Sequence, residues 1–99
     1  MARKENTNRF GNAWTAEQKK EAWNKAKPVD KKDADLYRAD KCGQLMYWFD
    51  FGKRDIREGW EVDHIVPVEQ DGGDEPDNLQ ALNWRSNDSK GDQLFWNCK

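Results

Sequence analysis

A chain of 99 residues, 35% hydrophobic and 36% charged, has room for one small domain with a lean core, and its size argues against a second. Six Trp, four Phe and two Tyr concentrate burial into few positions, so a compact aromatic core is expected. A net charge of −2 argues against a surface uniformly clad in cations for a phosphate backbone. With no long apolar run and a polar start, Met1-Ala2-Arg3-Lys4-Glu5-Asn6, neither a membrane span nor a signal peptide is indicated, and a soluble intracellular protein is expected.

Residues 1–13 are polar and aperiodic and read as a frayed tail. Thr15 and Gln18 then form a capping-box pattern ahead of Ala16 to Ala26, mostly good helix formers, which Pro28 stops. Ala22, Trp23 and Ala26 are the thin apolar side of this helix, so docking through Trp23 is expected, with lysines facing water. Val29 to Asp40 is expected to be a loop or short helix anchored by Leu36 and Tyr37. The aromatic run Leu45-Met46-Tyr47-Trp48-Phe49, between Gly43 and Gly52, has the length and composition of a buried strand. Trp60 to Val66 alternates and ends at Pro67, as a second strand would. Glu69 to Asp77 has no large apolar residue and reads as a surface loop. Asn78 to Leu82 alternates again as a return strand, after which Asn83 or Ser86 offers a cap to a short helix that Gly91 can end. Leu94-Phe95-Trp96 is expected to fold back onto the core. Cys42 and Cys98 are far apart and in no CxxC pair, so they read as reduced, partly buried thiols.

Charge is unevenly placed. Arg3, Lys4, Arg9, Lys19, Lys20, Lys25, Lys27, Lys31 and Lys32 load the first third, whereas Glu58 to Trp84 holds acidic residues and no Lys or Arg. A basic arm thus precedes an acidic lobe.

The residues that carry chemistry are Asp63-His64-Ile65-Val66-Pro67, then Asn78-Leu79-Gln80, then Asn87-Asp88-Ser89-Lys90-Gly91-Asp92. In this order they resemble the HNH endonuclease family, the ββα-metal or His-Me finger nucleases, over about Cys42 to Asp92. The resemblance implies an α+β fold: a small ββα-metal HNH domain over residues 41–99, with a basic N-terminal arm holding one helix over residues 1–40. It implies hydrolysis of DNA phosphodiester bonds with a single divalent ion, Mg²⁺ or Mn²⁺ ahead of Zn²⁺ or Ni²⁺, in the cytoplasm of a bacterial or phage-infected cell. Position by position, His64 becomes the general base, Asp63 and Asn87 the metal ligands, Asn78 the residue bracing the loop, and Lys90 a cation beside the scissile phosphate. The paired CxxC zinc knuckles of many members are missing, and the cluster Tyr47, Trp48, Phe49 and Trp60 can replace that staple by burying apolar area.

Elementary geometry supplies a separate argument. Neighbours on an extended strand point to opposite sides, so Asp63 and His64 serve one centre only if the strand ends or distorts there, as Pro67 permits. Asn87 and Lys90 are three apart and share a helix face, and the oxygens of Asp63 and Asn87 suit a hard cation that keeps sites open for water and phosphate. Two other readings use the same residues. One is a catalytically inactive HNH-fold module binding nucleic acid or protein within a larger phage or restriction assembly; the other is a structural domain whose motif is fortuitous.

Overall fold

The computed structural model describes residues 3–98. Thr15 starts the first helix, α1 (Ala16–Asn24), through the capping box its sequence announces: its hydroxyl accepts from the Gln18 N–H at 3.1 Å, and the Gln18 side chain accepts from the Thr15 N–H at 3.0 Å. Ala22 and Trp23 form the buried stripe of α1. The Trp23 ring lies 4.9 Å from that of Trp60 and 5.4 Å from that of Trp48, and its indole N–H reaches the Ala34 carbonyl at 2.9 Å, so the polar edge of the ring is satisfied inside the core. The lysines on and just after α1 keep to the water side, Lys20 and Lys25 exposed and Lys19 half-buried. Lys19 lies over Phe51 and Lys20 over Trp48, while Lys25 donates to the Pro76 carbonyl.

Three short strands follow, β1 (Lys27–Pro28), β2 (Tyr37–Ala39) and β3 (Leu45–Tyr47), paired antiparallel in the order β1-β2-β3. Instead of the expected loop or helix, Val29 to Asp40 thus ends in a strand, since Tyr37 pairs with Tyr47 and their rings meet at 4.9 Å. The aromatic run is a strand only as far as Tyr47. Trp48–Asp50 turns as a 3-10 helix and leaves Phe49 62% exposed.

The second sheet pairs β4 (Trp60–His64) with β5 (Leu79–Asn83) antiparallel, from Trp60 opposite Asn83 to His64 opposite Leu79. Asn83 caps the last helix, α2 (Trp84–Lys90), by accepting from the Arg85 N–H, and Gly91 ends it at φ 56°, a conformation glycine adopts freely. Helix α2 packs on β4 and β5 and α1 packs on β5, so every residue of β4 is buried. The core joins Trp14, Ala22 and Trp23 to Met46, Trp60, Val62, Leu79 and Ala81. Arm and nuclease-like half therefore share it.

Three expectations are corrected. The stretch before Trp14 is held against the second sheet: the Asn6 side chain accepts from the Val62 N–H at 3.0 Å, and the Arg9 N–H donates to Asp74 at 3.0 Å. Residues 1 and 2 lie outside the described residues. Leu94 and Phe95 do not return to the core but are exposed, Phe95 by 89%. Cys42 and Cys98 are joined in a disulfide, with Cα atoms 5.3 Å apart, so the thiols are not free. The pair was missed because a separation of 56 residues carries no local spacing signal.

Candidate active site

Strand β4 presents two chemistries on its two faces. Glu61 and Asp63 alternate onto the face covered by α2, while Trp60, Val62 and His64 alternate onto the other. The strand ends at His64, and there both faces meet one cavity of about 220 Å³ lined by Asp63, His64, Asn87 and Lys90, with Arg3 and Arg54 on its wall.

Asp63 is buried, and Lys90 from α2 is its counter-ion, with Nζ 3.3 Å from Oδ2. Gln80, opposite Asp63 on β5, donates to the same oxygen at 2.9 Å. Loss of hydration pushes the Asp63 carboxyl above its ordinary value, against the opposing pull of the Gln80 hydrogen bond and of Lys90. Lys90 is itself buried and also donates to the His64 carbonyl at 3.0 Å. The residue read from the sequence as a phosphate-side cation is thus tied to Asp63 and to the end of β4.

Asn87, one turn before Lys90, donates its amide to Glu61 Oε1 at 2.8 Å. Because a carboxylate only accepts, this contact fixes which way the amide faces and leaves the side-chain oxygen Oδ1 of Asn87 without a protein donor among the described residues. Glu61 is held in turn by a bidentate fork from Arg54 at 2.7 and 2.8 Å, and Arg54 also reaches Asp88 and Glu5. These carboxylates drive the guanidinium well above its ordinary value, Glu61 first. Glu61 and Arg54 are neighbours of Asn87 that the motif reading passed over. The signal was present, since Glu61 lies two residues from Asp63 and shares its strand face.

His64 is 4% exposed. Its Nε2 lies 2.7 Å from Asp74 Oδ1, and the Trp14 ring covers it at 5.2 Å. The loop from Ile65 to Asn78 brings Asp74 there. Asn78 accepts from the Val66 N–H at 2.8 Å and donates to the Val66 carbonyl at 3.1 Å and the Gly73 carbonyl at 2.8 Å, bracing both limbs of the loop. Gly72 permits the close return: a Cβ there would stand 1.7 Å from the Val66 carbonyl oxygen. Asp74 and Trp14 were not among the residues singled out from the sequence.

A strand, a braced loop, a return strand and a helix make a ββα unit, and its first strand, loop and helix line one polar cavity. The family model described as HNH endonuclease matches residues 49–93. The chain carries an HNH domain. Neither a curated protein nor a solved structure matches it. The HNH match spans Asp63, His64, Asp74, Asn78, Asn87 and Lys90 and stops short of α1 and Trp14. HNH domains have a nuclease-type fold and use a divalent metal as a rule. Among the described residues no three His, Cys, Asp or Glu side chains come together to hold one. Asp63 and Asn87 bring one carboxylate and one amide oxygen to the cavity, both hard, and the carboxylates of Glu5, Glu69, Asp88 and Asp92 also line this space, which admits water. Hard oxygen donors of this kind fit a partly hydrated, hard divalent cation better than a metal calling for sulfur or several imidazoles.

Proposed function

We propose that the protein is a metal-dependent endonuclease that hydrolyses DNA phosphodiester bonds, with His64 as general base. The observation that carries this reading is the convergence of His64, from one face of β4, with Asp63, from the face covered by α2, and Asn87, from α2 itself, on a single polar cavity inside a segment matched by the HNH family. In the proposed reaction His64 Nδ1 takes a proton from water as the water oxygen bonds to phosphorus, the P–O ester bond breaks, and the departing oxygen is protonated from solvent. Asp63 and Asn87 would hold the divalent ion, which supplies positive charge to the phosphate when bound. Lys90 orients Asp63, Glu61 orients Asn87, and Asn78 keeps the loop closed behind His64. DNA would approach across the arm, where Arg3, Lys4 and Arg9 precede the cavity in the chain.

Incubating supercoiled plasmid with the protein in Mg²⁺, Mn²⁺, Zn²⁺ or EDTA tests the reading through relaxed or linear product. Cleavage is expected with Mg²⁺ or Mn²⁺, is abolished by EDTA, and falls by about 10²–10⁴-fold in His64→Ala while metal binding persists. His64→Ala cutting at the wild-type rate would refute the assignment of the base. A second reading, an inactive HNH-fold binding module, is favoured by one feature: Lys90 already neutralises Asp63 without a metal. DNA binding that survives in His64→Ala, with no cleavage by the wild type in any metal, would establish it.

A further inference from the structure

His64 is the only histidine in the chain, and three groups outside the motif decide how its ring is held. Asp74 Oδ1 stands 2.7 Å from Nε2, Trp14 lies against the ring with centroids 5.2 Å apart and planes at 44°, and the Arg9 N–H donates to both Asp74 oxygens at 3.0 and 3.3 Å. We propose that Asp74 is a positioning residue that fixes the tautomer and ring orientation of His64, and that the segment Arg9–Trp14, outside the matched domain, completes this clamp. The inference rests on the nuclease reading for its catalytic consequence and on geometry alone for the clamp.

An ionised carboxylate has no proton to give, so in the neutral imidazole the proton sits on Nε2, facing Asp74, and the lone pair is left on Nδ1. Among the described residues no protein group is hydrogen-bonded to Nδ1, which is the condition for that nitrogen to receive a proton from water. Holding the other nitrogen with a carboxylate is how an imidazole base is kept in one tautomer and one rotamer.

Asp74 can do this because its own position is determined twice. Gly73 immediately before it is tied to Asn78, and the Arg9 N–H supplies the second anchor from the arm. Arg9 is fixed by a turn in which the Asn8 side chain accepts from the N–H groups of Phe10 and Asn12 at 2.9 Å each. Trp14, 7% exposed and part of the core, blocks rotation of the imidazole from the side. Since the anchor from the arm is a backbone N–H, it does not depend on the Arg9 side chain.

The test reads the tautomer and the reaction separately. Long-range ¹H–¹⁵N correlation at mildly alkaline pH sees one imidazole in this protein, so the spectrum has a single assignment. The wild type is expected to show the Nε2–H tautomer, Asp74→Asn a mixed or reversed tautomer, and Asp74→Glu a largely restored one. In plasmid cleavage, Asp74→Asn should lower kcat by roughly 10²–10³-fold with KM for DNA changed by less than about threefold, and Asp74→Glu should recover part of the loss. An unchanged tautomer in Asp74→Asn overturns the clamp. An altered tautomer with unchanged kcat overturns its catalytic role. If the wild type cuts no DNA in any metal, the nuclease reading fails, and the tautomer alone then decides whether Asp74 positions the ring.

Discussion

Opening the Cys42–Cys98 bridge is a perturbation whose size follows from topology. The bridge closes a loop with a sequence separation of 56 that contains the whole second sheet and α2. On the chain-entropy account a loop of this length restricts the unfolded chain by about 4 kcal/mol. For a domain near this size that is a fall in Tm of about 20 °C. Cys42 lies in a turn organised by Asp40, whose Oδ1 accepts from the Cys42 and Gln44 N–H groups and whose Oδ2 accepts from the N–H of Asn83, the cap of α2. Because Asp40 still ties this turn to the start of α2 once the bridge is open, the native arrangement persists below the lowered transition. Thermal unfolding followed by circular dichroism, with and without a thiol reductant and in Cys98→Ser, is the assay. Reduction and substitution should lower Tm alike, and reductant should not affect Cys98→Ser. A Cys98→Ser protein melting within about 2 °C of the oxidised wild type would refute the entropic argument.

Two further outcomes follow from the same geometry. Asn78→Ala removes three hydrogen bonds between the limbs of the loop and leaves the Val66 N–H and two carbonyls unpaired, so urea unfolding should show a loss of about 2–4 kcal/mol, and a loss under about 0.5 kcal/mol would contradict the bracing role. Asp63 has a carboxyl raised by burial above 3.8, so the stability it contributes is fully present below 3.8 and is lost as pH rises through the raised value. The wild type should therefore lose stability through this group as pH rises from below 3.8 through the raised value, a dependence that Asp63→Asn, which leaves Lys90 without its counter-ion, should lack. Differential scanning calorimetry of both proteins in EDTA across that range checks it, and a Tm difference between them that is the same at every pH would count against it.

What the sequence made legible was local. The Thr15–Gln18 box, the burial of Trp23, the strand beginning at Trp60 and the cap at Asn83 each depend on residues within a few positions of one another, whereas the strand stops at His64, short of the expected Val66. Adjacency pairs Asp63 with His64 and one helical turn pairs Asn87 with Lys90, while the sharing of one cavity by the two pairs is what the resemblance to HNH nucleases implies. What escaped was decided by tertiary contact. Glu69, Asp71, Asp74, Glu75 and Asp77 are equivalent in composition, and only the Gly72-Gly73 turn and the hold of Asn78 on Gly73 select Asp74 for His64. The Arg9 contact is made by a backbone N–H and leaves no trace in residue type. Strand β2 exists because Tyr37 meets Tyr47, a pairing that the polar stretch from Val29 to Asp40 does not announce.

The burial of charge in β4 is the feature that ties stability to function. Five residues of strand place Glu61, Asp63 and His64 inside the protein, and each has its own partner, Arg54, Lys90 and Asp74. Buried ion pairs such as Glu61–Arg54 and Asp63–Lys90 contribute little net stability, because the cost of dehydrating both charges rivals their attraction; apolar residues of similar size would serve the fold as well or better. The raised carboxyl of Asp63 shows that its partners do not fully offset that cost. Stability must therefore come from the other face of the sheet, where Trp14, Trp23, Trp48 and Trp60 pack, and from the bridge that ties down the chain beyond α2. The basic arm contributes two of these four tryptophans, Trp14 and Trp23, and the same segment holds Asp74. Removing the arm would accordingly take away both the packing that offsets the buried charges and the anchor that orients His64, which is why segment 49–93, though it contains every motif residue, is not a self-sufficient site.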